Sequence, residues 1–391
     1  MSLNQWTQHR LSCAALGSLL SFGATSVLDL AASVGVEQAW AQLRAGRADE
    51  LSPAGPQPPS EAVAKRAATI IPEQVAERTE SAGLRFITAQ DEQWPSALND
   101  LANCSVGQMG GLPVGLWLSG PGNLADWAGR AVAMVGSRAA TRYGETVALR
   151  LASELADGAP RWTIVSGGAF GVDAASHRGA LAASGRTIGV FANGLDVPYP
   201  PGNTNLVRSI ETDGLAISEL PPGSHPTRPG FLARNRLIAA LSSGTVIVEA
   251  ALRSGARNTV SWAGALGRVV MAVPGPVTSA MSVTPHRLIR DGEATLVATS
   301  DDIRALLQPV GESPELPFTG AARWGDDLDD DARSVREALP TRGGLSVGEA
   351  ALTSGLPVQR CAAALQRLYD GNFVIHDSSG LWRARPNRLD I

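Results

Sequence analysis

Residues 131–144, AVAMVGSRAATRYG, and residues 163–177, TIVSGGAFGVDAASH, decide how this chain folds. Each begins as an apolar run rich in β-branched or small residues, passes through glycine and serine, and opens onto residues at helical spacing. A strand, a tight turn and a helix in that order aim unpaired backbone N–H groups at an anion. Two such crossovers in tandem suggest a track of phosphates rather than a single nucleotide pocket.

Working outward from them, apolar strands and helical stretches keep alternating. WTIVSGG (162–168), TIGVFAN (187–193), ETDGLAISE (211–219), TVIVEA (245–250) and RVVMAVPG (268–275) read as strands. Helices are expected near 143–156, 172–183, 231–241 and 258–266. Near-continuous apolar strands separated by helices of this length imply a mainly parallel sheet covered on both faces. The fold class is therefore α/β, a doubly wound, Rossmann-like domain whose ligand edge is the carboxyl ends of its strands.

Flanking segments suggest smaller domains. Residues 1–80 read as a helical head: short helices up to about 50, the break LSPAGPQPPSE, and one helix over Glu61–Ser81. LRFI (84–87) and PVGLWLSG (113–120) are short strands that open the central domain, taken as residues 81–309. An acidic linker follows at 310–331. From 332 to 391 the order helix, helix, helix, hairpin is that of a winged-helix domain, with residues 360–368 where a recognition helix would lie.

Net charge −4 argues at face value against nucleic acid, but the acidity is local. Residues 131–309 carry sixteen arginines against thirteen acids, whereas 311–331 hold seven acids and only Arg323. Lys65 is the one lysine, so a phosphate clamp must be built from arginine, whose planar fork suits oxyanions. Cys13, Cys104 and Cys361 fit neither a disulfide framework nor a zinc site, and a reducing cytoplasm is expected. LSCAALGSLLSF (11–22) is too short to span a bilayer and is read as an amphipathic helix in preference to an export signal. No membrane association, metal or cofactor is expected.

Four constellations carry the candidate chemistry. At the first crossover Gly136 allows a close turn, Ser137 can cap the next helix, and Arg138 projects a guanidinium at the strand ends. At the second, Ser166, Gly167, Gly168 and Gly171 form a nest of donors, and Asp173 and His177 are read as a pair that stiffens the loop. Arg234, Asn235 and Arg236 sit at a helix start, where cations do not help the helix itself, so an anion is expected there; the alternative is an ion pair of Arg236 with Glu219 or Glu249. Finally Arg253, Ser254 and Gly255 form a polar turn after a strand ending at Glu249, itself either a general base or a brace.

In this order the segments VGSR, SGGAFGVDAASH, GLDVPYPPGN, ARNRLIAALSSGTVIVEAALRSGARNT, VVMAVPGPV and HRLIRDGEATLV resemble the DNA-processing protein A (DprA/Smf) family. The resemblance is strong over residues 84–309 and weaker at both ends, where the head would be of the SAM or helix–hairpin–helix kind. It implies non-sequence-specific binding of single-stranded DNA, a homodimer, and loading of the RecA recombinase during natural transformation, with no catalysis. Phosphate contacts would fall to Arg138, Ser166–Gly171, Arg234 and Arg236, and dimerisation near His286–Leu296. The chain departs from the family at Pro201–Gly202 after the YP turn and at Ser282-Val283-Thr284-Pro285, which puts the dimer face in question.

Two other classes remain open. A nucleotide-processing enzyme resembling the lonely-guy phosphoribohydrolases would use Glu249 and Arg253, although the PGGxGTxxE run is absent. A ligand-sensing regulator would contact duplex DNA through Arg360, Arg367, Arg383, Arg385 and Arg388.

Overall fold

The computed structural model describes residues 5–20, 25–47, 61–107, 109–308 and 328–385. The chain divides into two compact units, Met1–Pro314 and Glu315–Ile391. The proline-rich break at 51–60, most of the acidic linker including Arg323, and Arg388 lie outside the described residues.

The first unit begins with α1 (Gln8–Gly17), α2 (Thr25–Val34), α3 (Val36–Arg44), α4 (Glu61–Ala67) and α5 (Pro72–Ser81). The single helix expected over Glu61–Ser81 is two, because Pro72 lacks an N–H and its ring restricts the residue before it. Proline is favourable at a first helical position, so α5 starts there. This helical layer is fastened to the sheet by aromatic packing: Trp6 stacks on Phe86 at 5.7 Å, and the Trp117 indole donates to Thr79 Oγ1 at 2.9 Å.

Along the rest of the unit run β1 (Arg85–Ile87), the small hairpin β2 (Ser105–Val106) and β3 (Met109–Gly110), β4 (Leu116–Ser119), α6 (Leu124–Ala128), β5 (Ala131–Val135) and α7 (Arg142–Asp157). Next come β6 (Thr163–Ser166), α8 (Val172–Ala182), β7 (Thr187–Phe191), α9 (Thr204–Asp213) and β8 (Leu215–Ser218). The series closes with α10 (Arg228–Ala233), α11 (Asn235–Ala240), β9 (Gly244–Ile247), α12 (Ala256–Ala265), β10 (Val269–Ala272), α13 (Val283–Arg290), β11 (Thr295–Leu296) and α14 (Ser300–Leu307). Nine strands form one sheet in the order β1-β4-β8-β7-β6-β5-β9-β10-β11. β8 through β11 run parallel, while β4 and β1 add an antiparallel edge.

β5 shows why the sheet is covered twice. Ala131, Ala133 and Val135 face one apolar cluster with α11 and α12, while Val132 and Met134 face the other with α7 and α8. Side chains alternate across a strand, so a run with no polar residue must be buried on both sides. Leu151 and Leu155 on α7 are wholly buried, each stabilising the fold by about 1.5–3 kcal/mol. Chain order reverses between β5 and β9, and that switch point opens a crevice at the carboxyl ends of the strands.

Two local expectations are corrected. The helix read across 231–241 begins earlier and breaks at Arg234, where α10 hands over to α11. Thr227 caps α10 through the Gly230 N–H, and Arg236 Nη1 donates to the Ala233 carbonyl beside the break at 3.1 Å. Thr141, not Ser137, caps α7; the Ser137 hydroxyl accepts from Ala139 N–H. The crossover from β7 to β8 also contains α9, which the sequence reading left unassigned.

The second unit contains α15 (Asp330–Ala338), α16 (Val347–Ser354), α17 (Val358–Asp370), β12 (Val374–His376) and β13 (Trp382–Ala384). A reciprocal Ser346–Glu349 capping box starts α16 and left-handed Gly355 ends it. β12 and β13 pair antiparallel, and Leu345 bridges to Trp382. Among the described residues no helix is long and apolar enough to cross a membrane.

Candidate nucleic-acid interface

The two glycine crossovers are in direct contact at the switch point. Ser137 N–H donates to the Glu249 carbonyl at 2.6 Å, and Val172 N–H to the Ser137 carbonyl at 3.3 Å. Gly171 has φ +71, and a Cβ on it would collide with the Ser137 carbonyl. Glycine is required there both for its conformation and for the close approach.

Around this junction lies a cavity of about 610 Å³. It gathers Gly136, Ser137, Arg138, Asp173, Arg234, Asn235, Arg253, Ser254 and Gly255, so each of the four constellations contributes, and Asp173 is its one carboxylate. Gly255 is the N-cap of α12, so the positive end of a ten-residue helix faces the same space. The sequence reading missed Arg228 and Phe231, which also line it. The signal was present in Thr227-Arg228-Pro229: a capping threonine with proline just inside marks a helix start, and hence the same strand-end edge.

Arg138, Arg228 and Arg253 are exposed, and among the described residues none pairs with a carboxylate. The Arg138 guanidinium lies 4.6 Å over the Phe231 ring, which orients it without neutralising it. A smaller adjoining cleft shares Arg138 and Phe231 and adds Gly167, Phe170 and Tyr199.

The remaining candidates are occupied otherwise. Arg234 is buried; its Nη1 donates to the Gly167 and Val190 carbonyls at 2.5 Å each, and its Nε to Asn235 Oδ1. Burial lowers its pKa to about 10, against the pull of Asp173, whose carboxylate lies 3.9 Å away. Burial likewise raises Asp173, opposed chiefly by Arg234. Arg236 forks onto both oxygens of Glu219 at 2.7 and 2.5 Å, donates to Gly111 O, and lies outside the cavity lining. Of the ion pairs weighed for Arg236, the one with Glu219 forms.

Ser166 donates to the Met134 carbonyl at 2.7 Å, and Gly168 O accepts from Asn203. These residues shape the loop from beneath. Asp173 and His177 do not pair with each other: His177 Nδ1 meets Thr187 Oγ1 at 2.7 Å, while Asp173 faces Arg234. Burial and the Arg234 charge press the His177 pKa down to about 3.

Glu249 is a brace in this geometry. Its two oxygens accept from Thr141 N–H and Thr141 Oγ1 at 2.8 and 2.7 Å, and the side chain is buried. The Ser282–Pro285 departure forms the entry to α13, where Thr284 ties to the Ala250 and Ala251 carbonyls beneath the Arg253 turn. In the helical head, Cys13 lies 3.5 Å from His9, which lies 3.8 Å from Glu37, the order of a thiol nucleophile, a base and an acid. Burial pushes the thiol up to about 12, leaving it protonated and inert at neutral pH.

Comparison with known proteins bears on the family and the fold. The family model described as DNA recombination-mediator protein A matches residues 85–308. A protein of Mycobacterium tuberculosis named for DNA processing, DprA, is 48% identical over 314 residues, covering 79% of this chain and 77% of its own. Protein Smf of Escherichia coli is 35% identical over 261 residues, 65% of this chain and 68% of that one. The solved structure of DNA processing protein A from Streptococcus pneumoniae superposes with a TM-score of 0.61 at 30% identity, covering 78% of this chain and 99% of that chain. With the motif order, the switch-point cavity and these matches in agreement, the chain belongs to the DNA recombination-mediator protein A family, whose members process DNA for recombination.

Proposed function

We propose that this protein binds single-stranded DNA without sequence preference, acts in the cytoplasm as a homodimer, and delivers the strand to a RecA-type recombinase in recombination or natural transformation. One observation carries the binding reading: Arg138, Arg228 and Arg253, lacking carboxylate partners among the described residues, surround the switch-point cavity beside a helix N-terminus. Three exposed cations at one opening, against the single buried carboxylate of Asp173, suit successive phosphates, and the face of Phe231 or Phe170 offers a sequence-tolerant platform for a base. Gly136, Ser137, Ser254 and Gly255 would supply backbone and hydroxyl donors, with Arg234, Asn235 and the Ser166–Gly171 loop holding the floor. Arg236 serves as a brace in this proposal. The half-exposed Leu296 on edge strand β11 supports the homodimer, since an unpaired strand edge is a template for a second copy. The C-terminal unit is proposed to be a winged helix on its element order.

A non-enzymatic role is favoured by Glu249, whose oxygens are both taken by Thr141 and which does not line the cavity. Salt-titrated fluorescence anisotropy on mixed-sequence oligonucleotides tests the proposal. Arg138→Ala and Arg253→Ala should each weaken binding to all sequences alike and reduce the log–log salt slope by about 0.7. Wild-type affinity and slope in both variants would show that the strand lies elsewhere.

A further inference from the structure

A second cavity, about 500 Å³, lies between the Pro221–Thr227 loop and helices α4 and α5. Its lining includes Arg66, Arg78 and His225 and no carboxylate. The geometry of α5 explains this: Ile71, Gln74, Val75 and Arg78 line the cavity at helical spacing, while Glu73, Glu77 and Glu80 are absent from the lining. Arg78 is exposed and, among the described residues, has no carboxylate partner.

The facing wall is firmly held. Pro221 and Pro222 are buried, Gly223 N–H donates to both oxygens of Asp196 at 2.9 Å, and Gly194 N–H donates to Ser224 O at 2.9 Å. Thr227 lines this cavity, and the next residue, Arg228, lines the switch-point cavity. Successive Cα atoms are about 3.8 Å apart, so a single ridge of chain separates the two openings. The cavities differ in lining: the first has the Phe231 ring and the Asp173 carboxylate, whereas the second has no carboxylate and, besides the His225 imidazole, aliphatic surface from Ile70, Ile71, Val75 and the two prolines.

We propose that the second cavity is a backbone subsite for the same nucleic-acid strand. A strand leaving the switch-point cavity crosses the Thr227–Arg228 ridge and sets its phosphates beside Arg78 and His225, with sugars against Ile70 and Ile71. The proposal rests on the strand-binding reading of the first cavity and extends it onto the helical head.

Oligonucleotide length separates the two claims. With the full chain, oligothymidylate of about 6 nucleotides fills the first cavity, whereas about 20 nucleotides reaches both. Arg78→Glu should leave the short oligonucleotide's affinity unchanged, weaken the long one by about tenfold, and lower only the long one's salt slope. Arg78→Lys should retain most of the long-strand affinity, because the charge is kept. Equal losses at both lengths, or no loss at either, would overturn the subsite while leaving the first cavity's role standing. Failure of the unmodified protein to bind the short strand would overturn both readings.

Discussion

Two arginines two positions apart behave oppositely to what their shared motif suggests. Arg234 and Arg236 look equivalent in ARNR, but both guanidiniums are buried in bonds to the protein, while less conspicuous Arg228 lines the cavity exposed and, among the described residues, without a carboxylate partner. Removing one partner of a buried pair strands the other charge, a cost of about 3–5 kcal/mol. Arg236→Ala should therefore lower the unfolding midpoint sharply, while the fraction that folds keeps the wild-type salt slope; a lost slope without lost stability would return Arg236 to the binding surface. His177 sets a pH dependence. Its ordinary pKa of 6.5 is depressed to about 3 in the fold, so between those values only the unfolded chain takes up the proton. The stability gained by keeping it neutral is full above pH 6.5 and falls by about 1.4 kcal/mol per pH unit below it. An NMR titration should find the His177 ring neutral at pH 5, and an inflection near 6.5 would refute this account. The sequence revealed which residues bear charge. It offered Glu219 as one of two partners for Arg236 but did not reveal that Arg234 was engaged as well, because its bonds to the Gly167 and Val190 carbonyls join elements that meet only once the chain is folded.

At the scale of elements, the strands were legible because unbroken apolar runs such as AVAMV have no other stable home than a sheet covered on both faces. The turn chemistry was legible too, down to Gly355 at the end of α16. Less visible were α9, whose TNLVRSIETD mixes polar and apolar residues, and the break at Arg234, where local bonding replaces continuous helix. Gly171 joins the two crossovers through its backbone, so Gly171→Ala should cost at least about 1 kcal/mol from its positive φ alone, with the carbonyl collision added. Anisotropy on a short oligonucleotide should show weakened binding from the displaced Ser137–Arg138 turn. Unaltered affinity at full stability would show that the junction does not position the site.

At the scale of the whole molecule, the two compact units carry different electrostatic surfaces. On α17, Arg360 forks onto Asp331 at 2.9 and 2.6 Å, and Arg367 lies 3.0 Å from Asp329. Both acids belong to the start of α15 or its cap, so α17, the helix proposed for the recognition role, has two of its cations already engaged. Deleting residues 332–391 should consequently change duplex competition little, by no more than about threefold, and leave single-strand affinity intact. A large loss of duplex binding would instead make this unit a reader of double-stranded DNA.

The bond between Thr141 and Glu249 spans 108 positions of chain. Contacts this distant in sequence must wait for loop closure, and parallel strands delay it further. As the chain leaves the ribosome, the first crossover emerges long before the residue that holds it in place, and α12 later still. Every intermediate ending before Glu249 has the glycine loops without the cavity. The proposed site is therefore incomplete in any chain that ends before Glu249, and a nascent or truncated chain of that length would not compete with the finished protein for a ligand of the cavity.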